Sequence, residues 1–119
     1  MYKSILALLF LFCISCIYNH TADSENLGSD YFYLGDGHES QIILGDEKMN
    51  SGITIIPQEV VEYNFNQRYI IARSIDIVKK EKYWIVDKEN KGLIRPLDSI
   101  GFVNEMKRLK IYLKLKERK

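Results

Sequence analysis

Both cysteines of the chain, Cys13 and Cys16, lie within its first sixteen residues, and none follows. Whatever folds after Cys16 therefore does so without a disulfide of its own. It must stand on a hydrophobic core rather than on the staples common in small exported domains. The length fits one domain. Material for a core is present: the chain holds eight Tyr and five Phe, and β-branched and aromatic residues recur in short runs separated by polar, glycine-bearing stretches. That alternation of runs and turns is the pattern of an antiparallel β protein.

The two cysteines end an apolar run. Lys3 supplies a positive start, Ile5 to Ile14 is continuously apolar, and Ser15-Cys16 closes the segment. A membrane-spanning helix needs about twenty apolar residues, and polar Asn19, His20 and Thr21 come too soon for that. Basic start, short apolar centre and a small residue at the exit describe a secretory signal. The ending Cys13-Ile14-Ser15-Cys16 resembles a bacterial lipoprotein signal, in which the peptidase cuts before the final Cys and the sulfur carries a diacylglycerol. This resemblance implies a signal peptide over residues 1–15 and lipidation of Cys16. An ordinary secretory signal cut nearby and an uncleaved short anchor are the alternatives. Residues 16–29 then form the lipidated Cys and a polar tether, and residues 30–119 a single globular domain. The location implied is the cell membrane or outer membrane, facing periplasm or exterior.

The net charge argues against one class of partner. It is +1 at pH 7. Removing residues 1–15 takes away Lys3 and no acid, leaving 16 basic residues against 16 acidic ones. A nucleic-acid footprint needs a clear basic excess on one face, so none is expected.

From Tyr31 onward the runs read as strands. "YFYL", "QIIL", "ITIIPQEVVEYNF", "RYIIARS" and "KYWIVD" succeed one another, and "LIR" pairs back after a "KENKG" hairpin loop. Pro57 cannot donate to a ladder and marks an edge, bulge or break. After Pro96 the period changes. Asp98 or Ser99 can cap a helix, and Phe102, Val103, Met106 and Leu109 recur at helical spacing as one apolar stripe. "IYLKLKERK" ends the chain as a short strand and a basic tail, solvated or touching anionic lipid or an acidic partner. The fold expected is α+β: an antiparallel β-meander of about five or six strands with one C-terminal helix packed on a face.

Three segments, "GITIIPQEVVEYNFNQRYIIARS", "YWIVDKENKG" and "PLDSIGFVNEMKRLKI", together resemble a family of small bacterial lipoproteins known only as a domain of unknown function. The resemblance spans most of residues 31 to 112. It implies an exported, lipid-anchored domain, and it brings no activity and no functional residues.

The search for chemistry returns little. Asp36, His38 and Glu39 fall together in "GDGHES", but their spacing follows neither the calcium loop nor the zinc helix pattern; a solvated turn is expected. Ser40 beside His38 is not a triad, which must converge from separate elements. Glu59, Glu62, Asp76 and Asp87 are carboxylates that a hydrolase-like enzyme could use, though no spacing selects a pair. No cofactor or metal pattern is present. The remaining expectation is binding. Tyr31, Phe32 and Tyr33 alternate along a strand, so at least one ring should face outward, where a partner could add a strand; alternatively these rings close the core. Trp84 is either a core residue under the helix or part of an exposed aromatic face. The function expected is a lipid-anchored, non-enzymatic envelope protein that binds a macromolecule, with an envelope immunity or inhibitor protein as a specific form of it. The partners expected are the membrane, through Cys16, and a protein of the envelope.

Overall fold

The structure, a computed structural model, describes residues 24–35, 37–45, 52–90 and 96–118. Among these the chain forms eight strands and one α-helix, more strands than the five or six expected, within a broadly α+β architecture. The strands make two sheets instead of one meander. The first holds β1 (Ser24–Gly28), β2 (Tyr31–Leu34), β3 (Gln41–Gly45) and β4 (Gly52–Ile56) in spatial order 1-2-3-4. The second holds β5 (Val60–Phe65), β6 (Tyr69–Ile75), β7 (Glu81–Asp87) and β8 (Lys116–Glu117) in order 7-6-5-8. Every pairing is antiparallel.

Pro57 explains the division. Without an N–H it cannot extend the ladder of β4, and the chain leaves the first sheet at Ile56 and enters the second at Val60. The crossover is tied at once: Val60 N–H donates to the Ser40 carbonyl at 3.0 Å, and Ser40 Oγ donates to the Val60 carbonyl at 2.8 Å. Of the edge, bulge or break expected at Pro57, the structure has the break: "ITIIPQEVVEYNF" is two strands in different sheets.

The sheets share one core. Leu27, Tyr31, Tyr33, Ile42 and Ile56 from the first meet Val60, Ile70, Ala72, Trp84 and Val86 from the second. Residues Ile70, Ile71 and Ala72 of β6 are all fully buried, because this strand is covered on both faces. Its other face carries a second cluster, in which Ile71, Phe102 and Ile111 pack with Tyr69, Tyr83, Ile85, Leu97 and Met106. The result is three layers: sheet, sheet, then helix with the C-terminal segment.

The helix, α1 (Ser99–Arg108), is capped by Asp98, whose carboxylate accepts from Gly101 N–H at 2.7 Å. Phe102 is buried against Tyr83, with ring centroids 5.0 Å apart. Val103, expected in the apolar stripe, is 48 % exposed instead. Trp84 does not lie under the helix. Strand alternation turns it to the sandwich core and leaves Tyr83 to meet Phe102.

Two further expectations change at the ends. Part of the expected tether, residues 24–28, is β1, paired with β2 and burying Leu27 completely. Its hairpin turn is Ser29-Asp30, with φ of 53° and 69°, the two positive values that match the twist of flanking strands. The C-terminal tail is not free either, since Lys116–Glu117 pairs with β5. The expected return strand over Leu93–Arg95 falls in residues 91–95, outside the described residues; beyond them Leu97 and Tyr83 exchange both backbone hydrogen bonds, at 2.9 and 2.7 Å.

Candidate functional site

The strand registers sort the turns onto two ends of the sandwich. Ser24 lies level with Leu34, and Leu34 with Gln41. Ser40 bonds Val60, and Val60 lies level with Ser74. The entry of the chain at Ser24, the 3-10 turn Gly37–Glu39, the crossover at residues 57–59 and the β6–β7 turn therefore share one end, here the entry end. Gly28, Asn66 and Lys88 gather at the other.

At the entry end Arg118 clasps the crossover. Its Nη1 donates to the Gly37 carbonyl (2.8 Å), Ser40 Oγ (2.6 Å) and the Val60 carbonyl (3.0 Å), and its Nη2 donates to Glu59 Oε1 (2.7 Å). The other oxygen of Glu59 accepts from His38 Nδ1 at 3.2 Å. Hydrogen bonds from His38 and then Arg118 hold the Glu59 carboxyl below the ordinary carboxylate range. An imidazole beside a carboxylate is in kind an acid–base pair. Here, however, the His38 side chain is 94 % exposed. The Ser40 hydroxyl nearby is fully buried and already committed to Val60 and Arg118. This arrangement fits a structural clasp.

The β6–β7 turn at the same end is braced by Asp76 and apolar at its tip. Asp76 Oδ1 accepts from Val78 N–H (3.0 Å) and Lys80 N–H (2.9 Å), and the Asp76 backbone bonds Lys79 and Lys80 at 2.9 and 3.1 Å. Lys79 takes φ 61°. So held, the turn presents Ile77 at 98 % and Val78 at 80 % exposure, beside exposed Lys79 and Lys80.

At the far end Lys88 is buried. Its Nζ donates to the carbonyls of Leu27 (2.6 Å) and Asn66 (2.5 Å) and lies 5.7 Å from the centre of the Phe65 ring. It thus ties β1 to the β5–β6 turn, and burial pushes its pKa down. Gly28, at φ 89°, passes so close that a Cβ there would stand 3.0 Å from the ammonium. The positive φ favours glycine at that point, and a side chain there would press on the ammonium.

The residues singled out by sequence sit elsewhere. Tyr31, Tyr33 and Trp84 are 1 %, 5 % and 7 % exposed and meet in the sandwich core. Tyr33 stacks on Tyr63 at 4.3 Å, and Trp84 Nε1 donates to buried Ser74 Oγ at 2.8 Å. They do not form an outward aromatic edge, because β1 covers the side of β2 left open in the expected meander. The four strand carboxylates are held apart by separate partners. Glu59 meets Arg118, Glu62 meets Arg73 at 2.5 Å, Asp87 meets Arg68 at 3.2 Å, and Asp76 closes its turn. Asp36 and Cys16 lie outside the described residues. Among the described residues no three His, Cys, Asp or Glu side chains converge as metal ligands, and no helix is long and apolar enough to cross a membrane. Sequence reasoning passed over Arg118, Lys88 and the Ile77-Val78 tip. The tip alone left a signal: two aliphatic residues set between Asp76 and two lysines, at a turn.

Residues 29–119 match the model of a family described as "Protein of unknown function (DUF3997)". The chain belongs to that family. The match begins at Ser29, so β1 precedes the portion of the DUF3997 domain that the family model covers. No curated protein and no solved structure matches the chain.

Proposed function

We propose that this DUF3997 protein is a lipid-anchored protein of the bacterial cell envelope that works by binding rather than by catalysis. The observation that carries the proposal is the shortness of the link between the anchor and the fold. Cys16 ends the signal-like segment, and β1 starts at Ser24, so only residues 17–23 lie between them. Seven residues span at most about 25 Å when fully extended. A domain so leashed to a lipidated Cys16 stays beside the bilayer, within reach of partners at that surface. Binding is favoured over catalysis by the engagement of the polar groups: the imidazole, the carboxylates and the buried hydroxyl described above are each occupied in holding turns and strands together.

Cys16→Ser tests the anchor. One acyl chain binds membranes only marginally, and stable anchoring takes two or more. Wild-type protein should take up labelled palmitate and partition with membranes. The variant should lose the label and either leave the membrane fraction or remain unprocessed. Wild type that takes up no label removes the proposal.

A further inference from the structure

The β6–β7 turn has no structural use for its two most apolar residues. Ile77 and Val78 are 98 % and 80 % exposed, while the turn is held by Asp76 through two hydrogen bonds to its carboxylate and two to its backbone, none involving the Ile77 or Val78 side chain. Ile77 and Val78 are adjacent and form a small exposed apolar patch at a convex tip, where exposure costs solubility. The basic groups around them are Lys79, Lys80 and Lys82. Lys82 stands 3.7 Å from Asp76, and the acid next in the chain, Glu81, is taken by Arg73 at 2.9 Å. Lys79 and Lys80 are exposed.

We propose that this turn is a lipid-contact tip. Ile77 and Val78 enter the headgroup region of an anionic membrane, and the neighbouring lysines lie among its anionic headgroups. The inference rests on the anchored reading for bringing a membrane beside the domain, and two further observations carry it. The first is position. Ile75 and Glu81 form the last pair of the β6–β7 ladder, one step beyond the Ser74 level that connects through Val60 and Ser40 to the level of Ser24. Residues 76–80 therefore project past the end at which the chain enters the fold. With strands about 4.8 Å apart and sheets about 10 Å apart, the tip lies within about 20 Å of Ser24 laterally. An anchor at Cys16, joined to the fold at Ser24 through seven residues, holds this end nearest the bilayer. The second observation is chemistry. Protein interfaces are depleted in Lys and built around aromatic and Arg anchors, whereas the exposed residues of this tip, 77–80, are two aliphatics and two lysines, and its one acid, Asp76, is spent inside the turn. Lysines whose stems lie along apolar surface with the ammonium at the headgroups suit a lipid boundary.

Brominated lipids test the tip in the full chain. Ile77→Trp and Tyr112→Trp variants would be reconstituted into phosphatidylcholine vesicles with and without phosphatidylglycerol, with the native Trp84 as the common buried background. Tyr112 is 88 % exposed. It follows Lys110 and Ile111, which line a groove with Asn66 and Arg68 at the far end. The expected result is a blue shift and bromolipid quenching for Ile77→Trp in phosphatidylglycerol vesicles, weakened by salt and by Lys79→Ser/Lys80→Ser, with neither effect for Tyr112→Trp. An Ile77→Trp signal that stays unquenched while the chain is retained on vesicles overturns the tip and leaves the anchor standing. A shift in whole membranes without quenching in protein-free vesicles assigns the tip to a protein partner and likewise overturns it. Equal quenching at both positions also overturns it, because the domain would then have no preferred end. Palmitate uptake is read separately, so loss of the anchor is not confused with loss of the tip.

Discussion

Glu59 shows how much one side chain can organise. It follows the crossover proline closely, and its two oxygens receive Arg118, just past β8, and His38 from the 3-10 turn. Because its folded pKa is depressed, the stability it contributes is present in full above the ordinary carboxylate value, about 4.3. That contribution is lost as pH falls through the lower folded value. Glu59→Gln should therefore lower the melting temperature at neutral pH, by the equivalent of about 1 kcal/mol for a partly exposed, charge-assisted pair. The gap between variant and wild type should close as the pH is taken down. A gap that stays constant from neutral pH to about pH 2 would show that the carboxylate charge is not what Glu59 supplies. Nothing in the sequence could have paired these residues, since 59 positions separate Glu59 from Arg118 and 21 separate it from His38.

At the scale of the element, α1 depends on a single deep contact. Its apolar residues recur at helical spacing, but only Phe102 is buried, and it meets Tyr83 of β7. Phe102→Ala should cost about 3–5 kcal/mol. Glu105→Ala removes an exposed pair with Arg108 three residues along the helix and should cost at most about 0.5 kcal/mol. Thermal melts of the two variants provide the comparison, and equal shifts would remove the helix from the core. Which strand face lies beneath α1 was only half legible. Alternation in "KYWIVD" correctly separates Tyr83 and Ile85 from Trp84 and Val86, yet period-2 patterning cannot say which face meets a helix and which a second sheet when both are apolar. β1 was illegible for the opposite reason. An edge strand that buries only Leu27 carries almost no periodic signal, and only the turn residues after it, Gly28-Ser29-Asp30, announce it.

For the whole molecule, the shared core sets the cooperativity. Each sheet contributes half of the cluster around Trp84, and neither has a partner for its inner face without the other. The ends are fastened across the layers as well, by Lys88 at the far end and by the Ser40–Val60–Arg118 bonds at the entry end. Unfolding should accordingly be one transition: the fluorescence of Trp84, the single tryptophan of the chain, should follow the same curve as the backbone circular dichroism. A separate earlier fluorescence change would mean that the sheets part before they melt.

Short-range chemistry, read along the chain, is sufficient for the presence of most strands, an interruption at Pro57, a cap at Asp98 or Ser99 and the single helix, because each depends on neighbours in sequence. The same holds for the absence of cysteine after Cys16. Tertiary structure alone decides that the strands divide into two facing sheets, that Tyr31, Tyr33 and Trp84 lie inside rather than on an edge, and that Arg118 returns to clasp Glu59. It also decides that the Ile77-Val78 turn stands at the end where the chain enters. These are matters of register and layer order between distant segments. A residue's own neighbours carry no record of which surface will be laid against it.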